Sequence, residues 1–131
     1  ANDLAGQDGT TYYNNLVAYT DSLRAAGFRV VIGTILPSTT PGHNTERKKV
    51  NDLIRANAAS KFSAVADFAG DALVGCDGCE TNITYFSDGV HPTGEGHGRM
   101  VPIYKAAVEA AFTGTPPVTI EGLPPIASNF T

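Results

Sequence analysis

The stretch Phe28-Arg29-Val30-Val31-Ile32-Gly33-Thr34-Ile35-Leu36-Pro37 constrains the fold more than any other part of the chain. It is almost continuously apolar and β-branched, without the polar alternation of a strand that has one wet face. That pattern belongs to strands covered on both faces, as in parallel sheets. Pro37 and the cluster Ser38-Thr39-Thr40-Pro41-Gly42 end the run in a loop. Asn44 or Thr45 is then placed to cap a helix over about 45–60, with Val50, Leu53, Ile54 and Ala58 on one side. Ser63-Ala64-Val65-Ala66-Asp67-Phe68 reads as a second short strand, so residues 28–69 form one strand-helix-strand unit with a right-handed crossover.

Around this unit the periodicity is helical. Leu16, Val17, Thr20, Leu23 and Ala26 share a stripe from about Thr11 to Ala26, and Gly27 supplies the stop. Residues 70–93 read as a long loop. Met100, Val101, Tyr104, Ala107, Val108 and Ala111 share a face of a last helix, whose regular part is expected near 99 because Gly94, Gly96, Gly98 and Pro102 are poor helix formers. Residues 1–112 thus make one α/β domain. Residues 113–131, with Pro-Pro twice and Glu121 as the only charge, make a tail or linker. Two parallel strands alone are both edges, so this α/β unit calls for further strands to complete its sheet.

Charge and cysteine usage narrow the function. Nine Lys plus Arg against thirteen Asp plus Glu give a net charge of −4, scattered singly, which argues against a nucleic-acid partner. The longest apolar run, Val30 to Leu36, is far below the ~20 residues that cross a bilayer, so no membrane span is expected. Cys76 and Cys79 form a CxxC around Asp77-Gly78, with no second pair to complete a zinc set. A small structural disulfide is the leading reading, with a redox pair or free thiols as alternatives. The sequons at Asn82 and Asn129 make these two asparagines candidate glycosylation sites. They point the same way as a disulfide, toward a secreted or periplasmic protein.

Asp88-Gly89-Val90-His91-Pro92 carries the clearest chemical signal. An Asp three residues ahead of a His on a Gly-containing turn can bring its carboxylate to Nδ1, fixing the ring and leaving Nε2 as a base. An Asn amide such as that of Asn2 can donate to a developing oxyanion. In this order, Ala1-Asn2-Asp3 and Asp88-Gly89-Val90-His91-Pro92 resemble the G-x-N-D block, without its Gly, and the D-x-x-H block of the SGNH (GDSL-type) hydrolases. The helix, strand, helix and strand between them are similar to the second half of that family's flavodoxin-like, three-layer α/β/α domain.

The resemblance implies a serine esterase or deacetylase that needs no cofactor and no metal. His91 would be its general base, Asp88 the carboxylate orienting that base, and Asn2 an oxyanion donor, with Asp3 bracing the loop. The family's serine and glycine blocks lie upstream of G-x-N-D, on strands that this sequence does not contain. The implied partner is therefore an N-terminal part of the same domain, which supplies the nucleophile and completes the sheet. Thr20-Asp21-Ser22-Leu23 imitates a GDSL motif but falls inside the first helix, so Ser22 is set aside. The polar loops at the carboxyl ends of the strands favour a small ester or an acetylated carbohydrate as substrate. Two readings of another class stay open: a non-catalytic structural or binding subunit that retains the second half of the fold, and self-association through the exposed strands. His43 and His97 are read as surface or loop residues. Gly94-Glu95-Gly96-His97-Gly98 is read as the loop leading into the last helix, and Arg47, Lys48, Lys49 and Arg55 as a solvated helix face.

Overall fold

The structure is a computed structural model that describes Leu4 and residues 6–113. Its elements are α1 (Gly9–Ala25), β1 (Val31–Gly33), α2 (His43–Ala56), α3 (Ala58–Lys61), β2 (Ala64–Ala66) and α4 (Gly94–Thr113). It is a small mixed α/β domain. β1 and β2 pair in parallel, with Val31 opposite Ala64 and Gly33 opposite Ala66. Among the described residues nothing pairs with the other edge of β1.

One core joins α1 and α2 to the strands: Tyr13, Val30, Val50, Ile54 and Phe62 are buried, with Leu16, Leu23, Ile32 and Val65 packed against them. α1 begins where Asp8 accepts the Thr11 N–H through its carboxylate at 3.0 Å, an N-cap of the usual kind. A second core, Val74, Cys79 and Phe86 with Leu36, Tyr85 and Met100, lies beneath the long loop and α4. α4 itself packs across β2 and β1.

The strand run is shorter than the apolar sequence predicts. The Thr34 N–H still donates to the Ala66 carbonyl at 3.1 Å, but from Ile35 on the backbone bonds to side chains of α2. Asn51 is 2% exposed; its Oδ1 accepts the Ile35 N–H at 2.7 Å and its Nδ2 donates to the Ile35 carbonyl at 2.9 Å. The helix expected over 45–60 starts earlier, after Gly42 at φ 78°, and breaks at Asn57, whose amide turns back to the Leu53 carbonyl at 2.8 Å. Neither expected cap serves as one. Asn44 instead accepts the Ser38 N–H and donates to Glu80.

α4 corrects a further expectation, because its regular part begins at Gly94 and Gly94–Gly98 is its first turn. Thr93 starts it: its hydroxyl accepts the Gly96 N–H at 3.2 Å and its carbonyl accepts the His97 N–H at 2.9 Å. Gly96 is required by packing, since a Cβ there would overlap the Tyr85 carbonyl oxygen. The loop over 70–93 is also more ordered than a plain connection. It follows a 3-10 turn at Phe68–Gly70 and holds another at Cys79–Thr81 and an antiparallel bridge between Phe86 and Pro92.

Candidate functional site

Asp88 and His91 are brought together by the turn between them. Gly89 takes φ 78°, a left-handed conformation that glycine adopts without a Cβ penalty. The turn is closed by the Ser87 N–H on the His91 carbonyl at 2.9 Å. One oxygen of Asp88 accepts the backbone N–H groups of Val90 and His91, at 3.0 and 2.8 Å. The other faces His91 Nδ1 at 2.8 Å. A carboxylate beside Nδ1 is an acceptor, so the ring places its Nδ1–H there and presents Nε2 outward. These bonds, the backbone N–H of His91 first, hold the Asp88 carboxyl down to about 2. The carboxylate is therefore ionised at any ordinary pH.

A bond from the other loop fixes the turn in space. The Thr39 N–H donates to the Gly89 carbonyl at 2.9 Å, tying the segment after β1 to the Asp88–His91 turn. Between them runs a groove of about 610 Å³, with Thr34, Leu36 and Pro37 on one side and Val90, His91 and Met100 on the other. It opens at the carboxyl end of β1, where open α/β sheets take their ligands. Its lining includes the apolar side chains of Ile35, Phe68 and Pro92 as well.

Behind the groove lies a buried polar file that the sequence reading missed. His43 is 3% exposed, contrary to the surface position expected for it, and its Nε2–H donates to the Leu36 carbonyl at 3.0 Å. Its Nδ1 is buried without a partner. Burial first, with Arg47 adding to it, lowers the pKa of this ring, while the Leu36 bond opposes the shift. Arg47 is also buried and not on a solvated face. Its guanidinium donates to Asn44, to the Ile35 carbonyl and to Asp77. Lys48 pairs with the same Asp77, and Arg55 forks onto Asp67 at 2.7 and 3.1 Å. The spacing 43, 47, 51 is one helix face, and that was the available signal. The same helix also carries the buried apolar stripe of Val50 and Ile54.

Cys76 and Cys79 form a disulfide, which brackets the Asp77 that holds Arg47. Asn82 is exposed, with its Oδ1 on the Thr84 N–H. Ser22 lies within α1, its hydroxyl spent on the Tyr19 carbonyl. His97 is exposed on the first turn of α4 and lines the groove. Asn2, Asp3 and Asn129 lie outside the described residues. Among the described residues no three His, Cys, Asp or Glu side chains are arranged to hold a metal ion, and no helix is long and apolar enough to cross a membrane. The chain matches no protein-family model, and neither curated proteins nor solved structures give a match.

Proposed function

We propose that this domain is the C-terminal part of an exported serine esterase or deacetylase of the SGNH type. It hydrolyses short acyl esters, acetyl groups on a carbohydrate foremost, together with an N-terminal part that carries the nucleophilic serine. The observation that carries the reading is the Asp88–His91 pair: a carboxylate 2.8 Å from Nδ1, with Nε2 turned outward beside a groove at the carboxyl end of a parallel strand. The edge of β1 that nothing pairs with among the described residues supports the second element, a three-layer flavodoxin-like sheet completed by strands from that N-terminal part.

In the assembled site His91 Nε2 removes the serine proton as the hydroxyl oxygen attacks the ester carbonyl. Asp88 holds the ring and stabilises the imidazolium that forms. The Asn2 amide, with backbone N–H groups, receives the oxyanion. His91 then returns its proton to the leaving alcohol, and water releases the acyl group by the same route.

The test is intact mass spectrometry, under denaturing conditions, of the native preparation after exposure to a fluorophosphonate. The expected result is a label on a second polypeptide that disappears in His91→Ala, with kcat falling about a thousandfold or more. A single unlabelled species of this chain sinks the esterase reading and leaves a non-catalytic subunit.

A further inference from the structure

All three histidines of the chain line the one groove, but they are not equivalent. His43 is enclosed, its Nε2–H spent on Leu36 and its Nδ1 out of reach of solvent. His91 is committed to Asp88. His97 has no part in the chemistry described above, yet its ring too is oriented by a hydrogen bond. Its Nδ1 lies 2.9 Å from the Thr93 carbonyl, an acceptor only, so Nδ1 carries the proton and Nε2 keeps its lone pair.

Thr93 is itself fixed, its N–H on the Tyr85 carbonyl at 2.9 Å and its hydroxyl on the Thr84 carbonyl at 2.5 Å. Gly96 packs against Tyr85 from the same turn. His91 and His97 therefore stand at the two ends of one braced segment. Each offers an imidazole lone pair, with the apolar surfaces of Val90, Pro92 and Met100 beside them.

A lone pair on a fixed ring recognises a hydrogen-bond donor. The apolar surface beside it suits the C–H face of a small organic molecule. We propose that His97 is a substrate-binding residue whose Nε2 accepts a hydrogen bond from a hydroxyl on the alcohol half of the ester, so that the groove selects esters of polyhydroxylated alcohols. This rests on the esterase reading for the word substrate. The binding site itself needs only the groove and the two rings.

The probes are glycerol monoacetate, which has two free hydroxyls, and ethyl acetate, which has none. Each is titrated into the chain while the imidazole resonances are followed by NMR. Glycerol monoacetate is expected to shift the His97 ring, saturating on the order of tens of millimolar, as suits so small a ligand. Ethyl acetate is expected to leave that ring unmoved. His97→Ala should weaken glycerol monoacetate about three- to tenfold, the worth of one hydrogen bond, and His97→Gln, which keeps an acceptor, should recover part of it. His97 is exposed on a helix surface, so both variants fold. Equal shifts with the two esters, no saturation with either, or unchanged affinity in His97→Ala would each overturn the proposal. Serine labelling that fails while His97 still discriminates between the esters would remove the esterase reading and leave the hydroxyl-binding site standing.

Discussion

The turn that joins Asp88 to His91 depends on Gly89, and replacing it tests whether that turn is held by the loop after β1. A Cβ at Gly89 would lie 2.5 Å from Thr39 Cγ2 and 2.7 Å from Thr39 Oγ1, on a backbone at φ 78°. The left-handed conformation costs a non-glycine residue about 1–2 kcal/mol. Thr39 is exposed, so its side chain can turn aside for about 0.5–1.5 kcal/mol, while parting the two loops would cost up to about 3 kcal/mol. With Thr39 turned aside, Gly89→Ala should therefore destabilise the domain by about 1.5–3.5 kcal/mol.

The two contributions can be separated. Thr39→Ala removes both overlapping atoms but leaves the backbone conformation, so Gly89→Ala in that background should cost only about 1–2 kcal/mol. Urea denaturation with linear extrapolation measures all four proteins of the cycle. A cost below about 1 kcal/mol for Gly89→Ala alone, or the same cost in both backgrounds, would refute the packing of Thr39 on Gly89 and the positioning role derived from it.

Three further outcomes follow from the same structure. Asn51→Ala leaves the Ile35 N–H without a partner and its carbonyl with the longer Arg47 bond alone; at about 1–3 kcal/mol for the stranded N–H and about 0.5–1.5 kcal/mol for the second bond the loss should be about 1.5–4.5 kcal/mol, and a change under 1 kcal/mol would mean that the Ile35 N–H finds another partner. Asp88 titrates at about 2 in the fold against its ordinary 3.8, so its contribution to stability is complete above pH 3.8 and is lost as the pH falls through about 2. Thermal unfolding of Asp88→Asn should lack that part of the acid dependence, and an identical profile would contradict it. His43 has its pKa lowered by burial from 6.5, so the neutral ring favours the fold above pH 6.5 and that contribution fades as the pH falls through the lower folded value. His43→Gln should flatten the stability profile below pH 6.5, and an unchanged slope would place the titrating group elsewhere.

What the sequence made legible, and what it hid, divides along a physical line. The parallel pair β1 and β2, the helices at both ends and the Cys76–Cys79 disulfide follow from local pattern: a β-branched run, a 3.6-residue stripe, a close cysteine pair across a turn. The Asp88–His91 contact was also local, three residues apart across a glycine. The end of β1 was not local. Ile35 and Leu36 are apolar and read as strand, yet their backbone groups are taken by Asn51, Arg47 and His43, polar side chains that arrive from α2. Composition counts such residues as solvent-facing, because Arg, Asn and His usually are. Here an edge that no strand pairs with among the described residues has backbone groups to satisfy, and buried backbone groups are almost always paired. The polar spacing 43, 47, 51 on a helix beside an apolar strand is thus the trace, in sequence, of side chains that satisfy backbone groups beyond the paired part of β1. The same logic places α4. Three glycines and a proline lower its intrinsic propensity, but Thr93 caps its first turn and Gly96 lets it seat against Tyr85, so tertiary contact decides where the helix begins. Because that seating sets the first turn of α4, it also fixes how far His97 stands from His91, and the groove is built by packing that no single residue pattern announces.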